Sequence, residues 1–199
     1  MKANETAPSL IVGRRIRLRE LEESDLGLIA NWRNQPRALQ WFLSSQRIDA
    51  EKQIQWFARY RERPDERMWV VETADGRPVG TIALCRIDVA NRCAELGRVL
   101  IGEEDCLRLG YAKEATCRLI LYAFRELGCD RISLEVLAGN EAAICLYESC
   151  GLRSERAIRN VASKDGASKD VLTMVILRGE WLAAEDAQCS IPTDCGQTS

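Results

Sequence analysis

The chain has 199 residues, and its 46% hydrophobic and 29% charged residues are typical of a single globular domain. A formal net charge of -2 gives no reason to expect nucleic acid or a membrane surface as a partner. No apolar run approaches the ~20 residues that a membrane-spanning helix needs, and the polar residues 1–9 do not form a secretory signal. We therefore expect a cytoplasmic protein.

The predicted elements alternate between strand and helix along most of the chain. Residues 15–21 alternate charged and apolar side chains, which predicts a half-buried strand. Ser24 and Asp25 can cap a helix that carries Leu26, Ile29 and Trp32 and is closed by Pro36. A second helix is predicted from Asp49, with Ile54, Phe57 and Tyr60 as its apolar positions.

The second half continues the alternation. Strands are predicted at 68–73 and 78–88, joined by the hairpin turn Asp75-Gly76, and then at 92–101. A long helix runs from near Gly110 to Gly128, and it is followed by a strand at 131–136, a helix at 141–149 and two strands around a loop at 163–168. This order predicts an α/β fold with a mixed sheet over residues 14–181, between a flexible lead at 1–13 and a flexible tail at 182–199.

Cysteine and histidine usage argues against a metal site or a disulfide framework. The chain has nine cysteines, no histidine and no CxxC pair. The cysteines are expected to be reduced and mostly buried. Basic residues are concentrated between Arg33 and Arg67, which predicts either a solvated helical face or an anion-facing surface.

Two segments carry chemistry. The first, CLRLGYAKEA from Cys106 to Ala115, follows a strand and opens a helix. Such a glycine turn directs several N–H groups, together with the positive end of the helix dipole, towards one phosphate position. The second, NEAAICLYESCGL from Asn140 to Leu152, places Ala143 and Tyr147 one turn apart on the same side of a helix.

Together these segments resemble the GNAT superfamily of acetyltransferases. The pyrophosphate loop of that family reads Gln/Arg-x-x-Gly-x-Gly/Ala and matches residues 107–112, except that Leu107 replaces Gln or Arg. The family's later helix reads Asn-x-x-Ala-x-x-Leu-Tyr-x-x-x-Gly and matches residues 140–151. The resemblance implies a GNAT fold with a mostly antiparallel sheet of six to seven strands, about four helices and two strands splayed at an acetyl-CoA site.

The resemblance also implies roles for particular residues. Acetyl-CoA would be the cosubstrate, without a metal, and the strand amide near Leu100 would polarise its carbonyl. Tyr147 would protonate the leaving thiolate, and Glu95 is the expected base, with Asp88 and a water chain in reserve. The cofactor would contact Val99, Leu100, Ile101, Arg108, Leu109, Gly110, Tyr111, Ala112, Lys113 and Asn140.

The acceptor is the most open part of the expectation. The segments around Arg33, Trp41 and Gln53 are similar to the branch that acetylates nucleotide-linked amino sugars, as in the pseudaminic acid pathway. Arg33 and Trp41 are the expected substrate contacts, whereas Trp32 and Trp56 are expected in the core. Two alternatives are an N-terminal acetyltransferase of the ribosomal-protein type and a non-catalytic acyl-CoA-binding module. A homodimer is also possible.

Overall fold

The computed structural model describes residues 10–42, 47–162 and 168–182. The strands are β1 (Leu10–Val12), β2 (Ile16–Glu20), β3 (Arg67–Thr73), β4 (Pro78–Asp88), β5 (Cys93–Ile101), β6 (Arg131–Leu137), β7 (Arg153–Ala162) and β8 (Ser168–Leu177). The helices are α1 (Leu26–Arg33), α2 (Pro36–Leu39), α3 (Ala50–Arg61), α4 (Tyr111–Arg125) and α5 (Glu141–Glu148). A last helical turn spans residues 178–182.

The strands form one 8-stranded sheet in the order β1-β2-β3-β4-β5-β6-β8-β7. Neighbouring strands run antiparallel, except that β5 and β6 are parallel. The sheet confirms the predicted α/β fold with a mixed, mostly antiparallel sheet.

The two faces of the sheet carry separate hydrophobic cores, because side chains alternate along each strand. On β3, Trp69 and Val71 belong to the core under α4 and α5, whereas Met68 and Val70 belong to the core under α1 and α3. The helices α4 and α5, which carry the two sequence motifs, therefore lie on the opposite side of the sheet from α1 and α3.

Three local features differ from the sequence-based expectations. β1 lies inside the predicted lead, because Leu10–Val12 pairs antiparallel with β2 and extends the sheet by one strand. Pro36 does not only end a helix, since it opens the short helix α2. Ile54 is exposed, because the buried face of α3 follows Gln53, Phe57 and Tyr60 instead.

Other expectations fall partly or wholly outside the described residues. The lead at 1–9, the loop at 163–167 and the tail from 183 onward lie there. Cysteines within the described ranges are free thiols, and Cys106, Cys129 and Cys150 are buried. None of the described helices is long and apolar enough to cross a membrane.

Candidate active site

The candidate site lies where β5 and β6 part. The two strands pair only from Cys93–Glu95 to Arg131–Ser133, although both continue beyond that point. A cavity of ≈ 430 Å³, called the main cavity below, opens between them. That volume is within the range of small-molecule sites.

One wall of the main cavity is the free edge of β5. Leu100 pairs with Thr81 and Ile101 with Gly80 on the β4 side, whereas the described part of β6 does not pair with this half of β5. Backbone N–H and C=O groups on that edge are consequently available to a ligand. Val99, Leu100 and Ile101, the predicted cofactor strand, all line the cavity.

The turn before α4 forms the second wall. Gly110 caps α4 in a left-handed conformation with φ of 84°, and Arg108 has φ of 61°. The first backbone hydrogen bond of the helix runs from Glu114 to Gly110, so the N–H groups of its first turn are unpaired, as at any helix start. Arg108 and Ala112 line the cavity, while Leu109, Gly110, Tyr111 and Lys113 complete the turn and the first helical residues.

An arginine that the sequence motifs did not single out anchors this turn. The Nη1 atom of Arg15 donates to the carbonyl of Leu109 at 2.8 Å, and its Nε atom lies 3.2 Å from Glu114. Its guanidinium also lies over the ring of Tyr111, 5.4 Å from the centroid. The backbone N–H of Arg15 donates to Glu114 at 2.8 Å as well, so β2 and α4 are joined beside the turn. No sequence motif indicated this contact, because Arg15 is distant in the chain.

Helix α5 supplies the third wall. Asn140 caps it by accepting from the N–H of Ala143 at 3.2 Å, which leaves its amide nitrogen available to a ligand. Tyr147 is buried, lines the main cavity and has no hydroxyl hydrogen bond within the described chain. Burial, with Cys150 nearby, raises the pKa of Tyr147 to about 12. The phenol is therefore protonated throughout the physiological pH range.

The predicted base lies beside the cavity. Glu95 is half-buried and ion-paired with Arg86, and it is not among the described residues that line the cavity. Burial raises the pKa of Glu95, an effect that Arg86 opposes and Glu135 reinforces. Glu135, which the sequence patterns did not indicate, does line the cavity. Asp88 binds the backbone and side chain of Asn91, so it stabilises the β4–β5 turn.

The two predicted acceptor contacts, Trp41 and Arg33, line two different cavities. Trp41 is 41% exposed and lines the main cavity. Arg33 lines a second cavity instead, together with Trp56. Trp32 is in the core, as expected, where its Nε1 atom donates to Glu103 at 2.8 Å.

Two basic side chains join the segment around Trp41 to the neighbouring strands. Lys169 of β8 donates from Nζ to the carbonyl of Phe42 at 2.8 Å. Arg37 of α2 donates to the carbonyls of Ile101 and Gly102, at 3.2 and 2.6 Å, and so ties α2 to the end of β5. Within the described ranges, no cluster of three or more His, Cys, Asp and Glu side chains is placed to hold a metal ion.

Comparison with known proteins agrees with this geometry. Residues 15–153 match the family model described as the acetyltransferase (GNAT) domain. The chain therefore belongs to the GNAT acetyltransferases, and it is an N-acetyltransferase.

The individual relatives carry the names of acetyltransferases with different acceptors. The chain is 28% identical to a spermidine N(1)-acetyltransferase of Vibrio cholerae over 83% of this chain and 94% of the relative. A crystal structure of a Vibrio cholerae spermidine N-acetyltransferase with CoA and spermine has a TM-score of 0.76 and 27% identity, covering 84% of this chain and 98% of that one. A putative ribosomal N-acetyltransferase of Bacillus subtilis is 32% identical over 54% of this chain and 57% of its own length.

These relatives support the family and the use of CoA. They give no support to the similarity with the nucleotide-linked amino-sugar branch, because the names they carry are those of polyamine and ribosomal acetyltransferases. In the segments on which that similarity rests, Trp32 is a core residue and Trp56 packs partly buried against the same core.

Proposed function

We propose that this acetyltransferase binds acetyl-CoA between β5 and β6 and transfers the acetyl group directly to the primary amine of a small molecule. One observation carries the proposal. Within the described residues, three sets of groups without a partner border one cavity of ≈ 430 Å³ or the turn beside it: the free edge of β5, the first N–H groups of α4 and the hydroxyl of Tyr147. These groups are the ones that an acyl-CoA and its departing thiolate require.

The cosubstrate supplies a thioester, whose carbonyl carbon accepts the amine and whose sulfur leaves as a thiolate. The free edge of β5 would pair with the amide groups of the pantetheine arm, and the N–H of Leu100 would donate to the thioester oxygen. The turn from Arg108 to Lys113 would hold the pyrophosphate with backbone N–H groups. The amide nitrogen of Asn140 would donate to the same arm.

Two side chains would move protons. The buried, protonated hydroxyl of Tyr147 would donate to the sulfur as it leaves. Glu95 would take the proton of the attacking amine through a water molecule, since its carboxylate does not line the cavity. Its raised pKa suits it to accept a proton near neutral pH better than an exposed carboxylate would.

Three acceptor classes compete for this site. The sequence resemblance favours a nucleotide-linked amino sugar, the Vibrio cholerae relative suggests a polyamine, and the Bacillus subtilis relative suggests a protein N-terminus. The contact between Lys169 and Phe42 across the acceptor side favours a small molecule over a polypeptide chain, which would need an open groove.

The test is release of free CoA thiol from acetyl-CoA with each acceptor class against a blank without acceptor. We expect turnover of at least one small amine well above the blank and none of peptide N-termini. A chain that binds CoA but transfers acetyl to no amine would be a binding module, and the proposed function would then be wrong.

A further inference from the structure

A second cavity lies on the opposite side of Arg98 from the main one. It has a volume of ≈ 180 Å³ and is bordered by α1, α3, β3 and β5. The described residues that line it are Ile29, Arg33, Ile48, Lys52, Gln53, Trp56, Met68 and Arg98. The lining therefore holds three basic side chains and no carboxylate.

Among the described residues, no carboxylate pairs with Arg33. Its guanidinium lies 4.5 Å from the ring centroid of Phe42, and its buried Nε atom has no hydrogen-bond partner within the described part of the chain. Burial, together with repulsion from Arg98, lowers the pKa of Arg33 to about 10. A guanidinium that is partly buried in this way is costly unless it is paired.

Arg98 is directed to the cavity by an irregular backbone. It has a φ of 54° and lies in a β-bulge, where the β4–β5 register shifts between Thr81 and Ala83. Bulges that turn a side chain away from the regular pleat are concentrated beside active sites. Glu66 pairs with Arg98, but the Nε atom of Arg98 is buried and unpaired.

The remaining groups complete a polar, aromatic site. Lys52 is exposed and pairs with Asp49 at 2.9 Å, whereas Gln53 is buried at 4% exposure. The ring of Trp56 lies under Arg98, 5.2 Å from its guanidinium. With Arg98 paired to Glu66 and Lys52 paired to Asp49, the charge of Arg33 is left over for a ligand to neutralise.

The second cavity adjoins the main cavity. Arg98 lines both, and Phe42 lines the main cavity while its ring contacts Arg33. Arg98 is therefore the residue at which an acceptor bound in the main cavity would reach the second one.

We propose that Arg33 and Arg98 bind an anionic group of the acceptor, so that the preferred substrates are primary amines that also carry a carboxylate or a phosphate. This inference rests on the proposed acetyl transfer and names its substrate class. Guanidinium forks match both anions by paired hydrogen bonds. A polyamine would instead bring positive charge against Arg33, whose charge no described carboxylate neutralises, and such contact between like charges is unfavourable.

The experiment compares acceptors of equal length and different charge. γ-Aminobutyrate, its alcohol analogue and putrescine form an anionic, neutral and cationic series, and phosphoethanolamine with ethanolamine forms a phosphate pair. We expect kcat/KM to be about tenfold or more higher for the anionic members, the size of one charge-assisted contact. Comparing the gain in kcat/KM in the carboxylate series with that in the phosphate pair shows which anion fits better. Equal or higher kcat/KM for putrescine or spermidine would overturn the proposal, while leaving acetyl transfer intact.

The variant Arg33→Gln assigns any preference to the second cavity. We expect the ratio of kcat/KM between anionic and neutral acceptors to fall towards one, with the KM for acetyl-CoA unchanged. Arg33→Lys should restore part of the ratio, and Arg59→Gln, an exposed change on α3, should preserve it. An unchanged ratio in Arg33→Gln would contradict the proposal, and because it is a ratio, it is insensitive to a partial loss of folded protein.

A second measurement covers the case in which no amine in the series is acetylated, which would count against the proposed function alone. Inorganic phosphate at constant ionic strength should raise the Tm of the wild type, as a ligand of the folded state does. Arg33→Gln should lose that increase. An equal phosphate effect in both proteins, or no effect in either, would refute the anion site.

Discussion

The part of the main cavity proposed to hold the cofactor (the cofactor wall, residues 99–101 and 108–113) and the part proposed to face the acceptor (the acceptor wall, on the side of α1, α2 and α3) are built from different parts of the polypeptide. At the turn before α4 and along the free edge of β5, the groups offered to a ligand are backbone N–H and C=O groups, positioned by glycine and by strand pairing. On the side of α1, α2 and α3, they are side chains such as Trp41 and Arg98 that come from separate segments.

This difference predicts how each wall responds to substitution. A backbone wall tolerates changes of side chain but is damaged by changes that alter its φ angles. A wall built from side chains depends on a few particular side-chain atoms. It should therefore be damaged when those side chains are replaced, and not by substitutions at other positions. The expected effects below are ordered from the largest to the smallest.

Gly110→Glu tests the backbone wall most severely. Gly110 has a φ of 84°, and a Cβ there would lie 3.0 Å from Nη2 of Arg15. The added carboxylate would also face the pyrophosphate, so CoA affinity measured by calorimetry should fall about a hundredfold or more. Gly128→Ala is the control, because Gly128 has a φ of 68° and open space around it. It should lower Tm but preserve CoA affinity. Normal CoA binding by Gly110→Glu would place the phosphate elsewhere.

Tyr147→Phe tests the side chain nearest to the departing sulfur. Loss of the hydroxyl should lower kcat about tenfold or more, against the roughly 10²- to 10⁴-fold that general acid–base catalysis contributes, while CoA affinity is largely retained. Tyr122→Phe removes the hydroxyl of another buried tyrosine, which accepts from Arg67 at 3.4 Å, and should leave kcat unchanged. If Tyr147→Phe retained full kcat, the phenol would have no part in the reaction.

The same contrast explains what could be predicted from the sequence. The turn at Gly110 and the start of a helix near Asn140 depend on local chain geometry, so short motifs predicted both, and the structure places them beside one cavity. The hairpin at Asp75-Gly76 and the start of a helix at Asp49 were predicted for the same local reasons.

Features that depend on distant contacts were missed. Arg15 reaches Leu109 across 94 positions, and no periodicity in either segment indicates that pair. β1 is only three residues long, too short for an alternating pattern to show. Arg98 enters the second cavity because of a bulge, whereas regular alternation from Glu95 did not predict that direction.

Arg15→Gln tests whether the backbone wall depends on one distant side chain. Loss of the bond to Leu109 and of the Tyr111 contact should loosen the turn and raise the KM for acetyl-CoA about three- to tenfold. The kcat at saturating cosubstrate should change less, because Tyr147 lies on α5. Arg14→Gln removes the neighbouring charge without those side-chain contacts and should leave the KM close to that of the wild type. A kcat loss without a KM change would assign Arg15 to the chemistry.

The smallest expected effect concerns the dependence of kcat/KM on pH. The rise of kcat/KM at acidic pH, the acid limb of that profile, should shift by less than about one pH unit. If Glu95 is the base, activity rises with pH through its pKa, and Glu135 is one of the groups that raise that pKa. Glu135→Gln should therefore move the limb to lower pH. Arg86→Gln removes the opposing positive charge, so it should move the limb to higher pH. Glu95→Gln should abolish the limb altogether. Should the limb survive in Glu95→Gln but disappear in Glu135→Gln, the base would be Glu135, the carboxylate of β6 that lines the cavity.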